Sequence, residues 1–206
     1  MSTINEMLGR HQLISDQVNT NQLRTILSEL EKIIDKNVSG AVVEFGCYIG
    51  TTSLFIRRLL DSHDLHQTTR EFHVYDSFEG LPPKTAQDDS PAGTQFKAGE
   101  LSVSKKQFHH EFQKAGLRPP TVHKGWFSNL TEADIPEKIA FAFLDGDFYE
   151  SIRDSLRLVL PHMQAGSTIV IDDYAREALP GAAKAVHELL PKITIQTTHN
   201  LGIIHL

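Results

Sequence analysis

The feature that most limits how this chain can fold is a pair of short, largely apolar runs, Ile139-Ala140-Phe141-Ala142-Phe143-Leu144 and Ser167-Thr168-Ile169-Val170-Ile171, each ending abruptly in acids. Runs without polar alternation belong to strands buried on both faces of a parallel sheet. Between them, Tyr149 to Met163 carries Ile152, Leu156, Val159 and Leu160 at helical spacing on one face. This predicts a strand–helix–strand unit with Asp145 and Asp147 after one strand and Asp172 and Asp173 after the next. In open α/β sheets the carboxyl ends of the strands are where ligands bind. Four carboxylates gathered there repel one another unless a cation sits among them. Turn or capping roles would explain either pair alone. Both pairs at matched strand ends, 27 residues apart (172 − 145), favour a site.

The upstream chain supplies the rest of a nucleotide-type sheet. Residues 1–20 are polar and predict a short arm or irregular helix. A helix capped at Thr20 or Asn21 follows, with Leu23, Ile26, Leu27, Leu30, Ile33 and Ile34 on its buried face. Residues 1–38 are thus expected to be a helical cover on the sheet edge or mouth. Ala41–Phe45 is the first strand, and it turns through Gly46-Cys47-Tyr48-Ile49-Gly50-Thr51-Thr52 into a helix ending near Leu60. The glycines let backbone approach a ligand, and the helix start offers N–H groups. Tyr48 stands where the nicotinamide fingerprint requires its second glycine, so a dinucleotide is a poor fit. A purely structural turn explains this motif nearly as well. Phe72–Tyr75 is the second strand; Asp76 at its end suits a ribose diol, or a turn into the following Gly/Pro-rich loop.

Residues 84–100 show no periodicity, and a loop of that length predicts a substrate lid. A helix from Ser102 to Ala115 is closed by Gly116, and Thr121-Val122-His123 is a third strand. The pair Trp126-Phe127 directly after it can pack on a purine or in the core. Ala182–Leu190 predicts a helix. Ile193–Gln196 and Leu201–Leu206 predict a hairpin around His199-Asn200, an antiparallel edge on a parallel sheet.

Composition removes several function classes. The net charge of −6 argues against a nucleic-acid surface. One cysteine, Cys47, excludes an intramolecular disulfide and a cysteine zinc cage. No stretch approaches the roughly 18 apolar residues of a membrane span, and no apolar leader opens the chain, so a cytoplasmic protein without membrane contact is expected. Its 206 residues fit one domain.

Taken together, the residues resemble a class I S-adenosylmethionine-dependent methyltransferase, and more narrowly the macrocin O-methyltransferase (TylF-like) family. The matching stretches are Val43-Glu44-Phe45-Gly46 with Gly50, Tyr75-Asp76-Ser77-Phe78-Glu79-Gly80-Leu81-Pro82, Gly125-Trp126-Phe127, Leu144-Asp145-Gly146-Asp147 with Tyr149-Glu150-Ser151, and Ile171-Asp172-Asp173-Tyr174. The second is the most specific. The resemblance implies an α/β fold, a Rossmann-like seven-stranded, mostly parallel sheet with helices on both faces and a C-terminal antiparallel hairpin. It implies that Glu44, Gly46, Tyr48 and Thr52 bound the methionine and ribose end of S-adenosylmethionine. Asp76 would hold the ribose hydroxyls, Ser77 and Phe78 would sit beside the adenosine, and Gly125, Trp126 and Asp145 would complete the cofactor wall. Asp145, Asp172 and Asp173 match the family's magnesium ligands, and Asp147 its general base. A homodimer is the family expectation.

This chemistry suits the residues. A sugar hydroxyl is too weak an acid to ionise unaided at neutral pH, and a bound divalent cation stabilises the developing alkoxide. All-oxygen ligation selects a hard ion, magnesium first, with manganese or calcium behind it. Asp147 can then accept the proton. The catechol O-methyltransferases share a similar metal site but carry a lysine base three residues after the first metal aspartate, where this chain has Phe148. The expected reaction is methylation of a hydroxyl on a sugar or sugar-like small molecule in natural-product biosynthesis. The alternatives are a catechol or phenol acceptor, or a non-catalytic cofactor-binding protein.

Overall fold

A computed structural model describes residues 3–63 and 70–206. In chain order the elements are α1 (Thr3–Arg10), α2 (Thr20–Asp35), β1 (Ala41–Phe45), α3 (Thr51–His63), β2 (Phe72–Asp76), α4 (Lys105–Ala115), β3 (Thr121–Lys124), β4 (Ile139–Leu144), α5 (Tyr149–Val159), β5 (Met163–Ile171), α6 (Pro180–Leu189), β6 (Gln196–Thr198) and β7 (Leu201–His205). The seven strands form one sheet in the order β3-β2-β1-β4-β5-β7-β6. The first five run parallel, while β7 is antiparallel to both β5 and β6. The strand order reverses between β1 and β4, and that switch point opens a crevice above their carboxyl ends.

Side-chain alternation along the central strands builds two separate cores. Val42 of β1 and Phe141 and Phe143 of β4 face a layer of α1–α4, packing with Leu23, Leu27, Phe55 and Phe108. Val43, Phe45, Ala142 and Leu144 point the other way, onto Ile152 and Leu156 of α5 and Ala182 and Val186 of α6. Both faces being covered is why these strands lack polar alternation.

The element boundaries differ from expectation where local chemistry intervenes. Thr3–Arg10 form a regular helix, α1, because Ile4 and Met7 find a buried face. Asn19, one residue before the expected cap, starts α2 and forms a full capping box with Gln22. Helix α5 stops at Val159, since Pro161 has no N–H to continue the ladder, and a 3-10 turn over Leu160–His162 hands over to a nine-residue β5. The first part of that strand, Met163-Gln164-Ala165-Gly166, is partly to fully exposed and carries no β-branched run, so it does not read as a buried strand. In the terminal hairpin, Ile193–Ile195 stay outside the ladder, and β6 starts at Gln196. His199 and Asn200 turn it with φ of 50° and 68°, the left-handed pair a two-residue hairpin turn requires. Among the described residues, no helix is long and apolar enough to cross a membrane.

Candidate active site

At the switch point, β1 and β4 end side by side, and the Asp145 N–H donates to the Phe45 carbonyl at 2.8 Å. Gly46, with φ +86°, has no room for a side chain: an added Cβ would lie 1.8 Å from the Asp145 carbonyl oxygen. The first glycine of the turn is therefore required by the neighbouring strand, whatever binds above it. Asp76 at the end of β2 fastens the same turn. Its Oδ2 accepts from the Cys47 and Tyr48 N–H groups at 2.8 and 3.2 Å, and its Oδ1 from Phe78 N–H at 2.6 Å. Two amides of the glycine turn are thus already occupied by a carboxylate.

The four acids sit where β4 and β5 end. Leu144 pairs with Ile171, and Asp172 N–H donates to the Leu144 carbonyl at 2.9 Å, so Asp145 and Asp172 leave adjacent strands at one level. Asp147 and Asp173 each take a positive φ, 57° and 53°, in the turn after their strand. Aspartate is among the few side chains that tolerate that region. Asp145, Asp147, Asp172 and Asp173 line one cavity together with Gly46, Tyr48, Asp76, Ser77 and Trp126.

Electrostatically the acids are under strain. Burial, then the charges of Asp172, Asp147 and Asp173, hold the Asp145 carboxyl well above the usual carboxylate range. Burial followed by Asp173 and Asp172 does the same to Asp147. Asp172 is pushed up to about 7 by burial and Asp173. Asp173 is raised least, because the Arg176 guanidinium stands 3.1 Å from its Oδ1. One arginine against four carboxylates leaves the cavity short of positive charge. The donor set, all oxygen with no thiol or imidazole, fits a hard divalent cation. The acids share a cavity without being closed round a point, since among the described residues no group of three or more His, Cys, Asp or Glu side chains is placed to hold a metal ion.

Other expected residues divide. Trp126 lines the cavity, while Phe127 both lines it and packs edge-on to Phe45 at 5.2 Å, which joins the two readings of that pair. Phe78 turns into the core against Phe108, with ring centroids 6.0 Å apart, and is not among the cavity-lining residues. Thr52 is buried in the first turn of α3, and Gly125 bonds its N–H to the Asp76 carbonyl; neither lines the cavity. Glu44 lies beneath the floor, 1% exposed, accepting from the Ser53 hydroxyl.

Burial pushes Glu44 up to about 8, the Ser53 bond opposing and the Asp76 charge adding to the rise. The folded chain thus keeps a proton that the unfolded chain releases near its ordinary 4.5. The stability this group contributes is complete below that value and is lost as pH rises toward 8. Glu44→Gln, neutral throughout, should therefore show a smaller fall in melting temperature between pH 5 and pH 8 than the wild type. An unchanged slope in thermal melts would remove Glu44 as a buried acid.

Several residues of the site carried no signal in the sequence. Arg176 and Gln22 reach the acids from the segment after β5 and from α2. Phe96 and Leu101 supply apolar wall from the expected lid and just beyond it. The 84–100 segment is also tied down more firmly than a free loop. Asp88, 2% exposed, accepts from the Tyr149 N–H at 2.7 Å and so caps α5, whose own N-cap Phe148 offers no side-chain acceptor. Its other oxygen holds Thr85 N–H and Oγ1 at 2.8 and 2.9 Å. Gly181 leaves the space for this, as an added Cβ would lie 2.0 Å from Asp88 Oδ1.

The chain is similar to known proteins over most of its length. The profile of the macrocin-O-methyltransferase (TylF) family matches residues 11–200. The 8-demethyl-8-(2,3-dimethoxy-alpha-L-rhamnosyl)-tetracenomycin-C 4'-O-methyltransferase of Streptomyces olivaceus is 34% identical over 77% of this chain and 61% of its own length. The mycinamicin III 3''-O-methyltransferase of Micromonospora griseorubida is 29% identical over 83% of this chain and 68% of its own. The chain thus spans between 61% and 68% of the length of these curated relatives. Among solved structures, the O-methyltransferase NovP superposes with a TM-score of 0.78 at 25% identity, covering 91% of this chain and 80% of that one. The calicheamicin methyltransferase CalS11, at 17% identity and a TM-score of 0.74 over 98% of this chain and 89% of its own, shares the fold. With residues 11–200 matched by one family profile, this chain belongs to the macrocin O-methyltransferase (TylF) family.

Proposed function

We propose that this chain is an S-adenosylmethionine-dependent O-methyltransferase that uses a divalent cation, magnesium first, and methylates a hydroxyl of a sugar moiety or sugar-like small molecule. The observation that carries the reading is the shared cavity. The Gly46–Tyr48 turn of β1, Asp76 of β2 and the four carboxylates after β4 and β5 face one space. Relatives named for methylating a 4'-oxygen of a rhamnosyl-tetracenomycin and a 3''-oxygen of mycinamicin III support a glycosylated acceptor.

When bound, S-adenosylmethionine supplies an electrophilic methyl, and a divalent cation stabilises negative charge developing on an acceptor oxygen. Gly46, Tyr48, Asp76, Ser77 and Trp126 hold and orient the cofactor, with Asp145 reaching the same space. Asp145, Asp172 and Asp173 would hold the cation. Asp147 accepts the hydroxyl proton on a carboxylate oxygen. Leu81, Pro82, Phe96 and Leu101 form an apolar wall that keeps water from the reacting oxygen. A catechol-type reading lacks its lysine: Phe148 is 1% exposed, and Lys84, whose Nζ lies over the Phe148 ring at 5.1 Å, is not among the cavity-lining residues.

The test is methyl transfer from labelled cofactor to a panel of glycosylated acceptors and catechols, with magnesium and with chelator. Transfer to a glycosylated acceptor that needs added magnesium is expected. Transfer to catechols alone would move the acceptor class, and equal rates in chelator would remove the cation.

A further inference from the structure

The acids after β4 and β5 do not stand alone: the N-terminal helical layer reaches into them. Gln22 Nε2 donates to Asp172 Oδ1 at 3.2 Å across 150 residues of chain. Both side chains are more than nine-tenths buried, at 5% and 6% exposure. The amide is oriented by its other end. Gln22 Oε1 accepts from the Asn19 backbone N–H at 3.1 Å and from Asn19 Nδ2 at 2.6 Å. With two donors fixed on its oxygen, its nitrogen can only face Asp172. The capping box that starts α2 therefore also aims a hydrogen bond at a cavity carboxylate. The preceding stretch follows the same border: Gln17 lines the cavity, and the hydroxyls of Ser15 and Thr51 lie 2.8 Å apart at the start of α3.

We propose that Gln22 is a positioning residue for the cation site, its amide fixing the Asp172 carboxylate in the orientation that ligates. The role rests on the cation reading above. A carboxylate ligand that is itself hydrogen-bonded keeps one oxygen pointed at the ion, and loss of such a partner weakens metal affinity by about 10- to 100-fold. Asp172 is flanked by Asp173, which would otherwise be free to push it aside, and the Arg176 guanidinium is engaged with Asp173. Gln22 is an uncharged side-chain donor to Asp172, beside a bond from the Asp173 backbone, and it answers this crowding without cancelling the negative charge a cation needs.

The test is Mn2+ titration by calorimetry on the whole cofactor-loaded chain, comparing wild type, Gln22→Met and Asn19→Ala. Gln22→Met keeps side-chain length and removes the donor; Mn2+ affinity should fall by about 10- to 100-fold. Asn19→Ala breaks the capping box from its other half, yet the backbone N–H at position 19 still holds the Gln22 oxygen. Its Mn2+ affinity should fall clearly less than that of Gln22→Met, because the amide keeps one of its two fixed donors. Should Gln22→Met fail to fold, Gln22→Asn, which withdraws the amide by one methylene, gives the same readout. Unchanged affinity in a folded Gln22 variant overturns the proposal, as does an equal loss in Asn19→Ala, which would assign the effect to helix order. A wild type that binds no Mn2+ fails differently, sinking the cation reading and this role with it.

Discussion

Asp145→Asn is expected to reduce methyl transfer by about three orders of magnitude or more, while affinity for S-adenosylmethionine changes only a few-fold. Stabilising charge on the acceptor oxygen is worth several kcal/mol, and each 1.4 kcal/mol or so is tenfold in rate. Asp145 leaves β4 beside the β1 turn and shares its cavity with Asp172 and Asp173, so it stands both with the acid set and beside the glycine turn. The amide keeps the shape and loses the anionic oxygen. In metal-free protein the same change should raise the melting temperature, because a buried carboxyl pressed by three others is removed. Lower activity with higher stability is the signature of a charge kept for function. Steady-state rates, cofactor calorimetry and thermal melts check the three parts. Wild-type turnover in the variant would end the cation assignment for Asp145.

Asp147→Asn should lower kcat by about 10²- to 10⁴-fold with Mn2+ binding retained, the range over which a positioned base acts. Asparagine suits this position, since Asp147 holds φ at 57° and asparagine enters that region more readily than other side chains. The turn from Gly146 to Phe148, closed by a 2.6 Å bond from Phe148 N–H to the Gly146 carbonyl, should survive. The rate loss then reports proton acceptance and not a displaced loop. An acceptor with a more acidic hydroxyl should lose less, because it depends less on the base. If aliphatic and phenolic acceptors lose equally, Asp147 is not the proton acceptor.

Much of this was legible in the sequence, for identifiable reasons. Central strands such as Ile139–Leu144 are buried on both faces, so their composition alone announces them. The acids after them have no apolar explanation. The Rossmann-like sheet came from the resemblance, and the switch between β1 and β4 appears only in the folded strand order. What escaped was long-range or shared between roles. Gln22 reads as the third residue of a capping box, and only folding brings its other end to Asp172. Arg176 lies in an irregular stretch with no periodicity to place it. Phe78 sits inside the most specific matching block, yet its left-handed backbone, φ 55°, sends the ring to the core. Asp88 is one polar loop residue among many in the sequence, because nothing local records that a helix 61 residues later lacks its own cap.

That last contact sets where the 84–100 segment can be exchanged between relatives. Residues 84–90 are part of the scaffold: Asp88 is seated in the slot beside Gly181, Lys184 Nζ bonds the Gln87 carbonyl, and Ser90 Oγ donates to the Glu177 carbonyl at 2.7 Å. Residues 91–94 are exposed, and Gly93 has nothing within 4 Å of an added Cβ. A graft cut after Ser90 and rejoined before Glu100 would replace Phe96 in the cavity wall while leaving the α5 cap intact. A graft that begins at Lys84 would remove the cap of the helix that follows Asp147, and would alter the reacting centre along with the specificity it was meant to change.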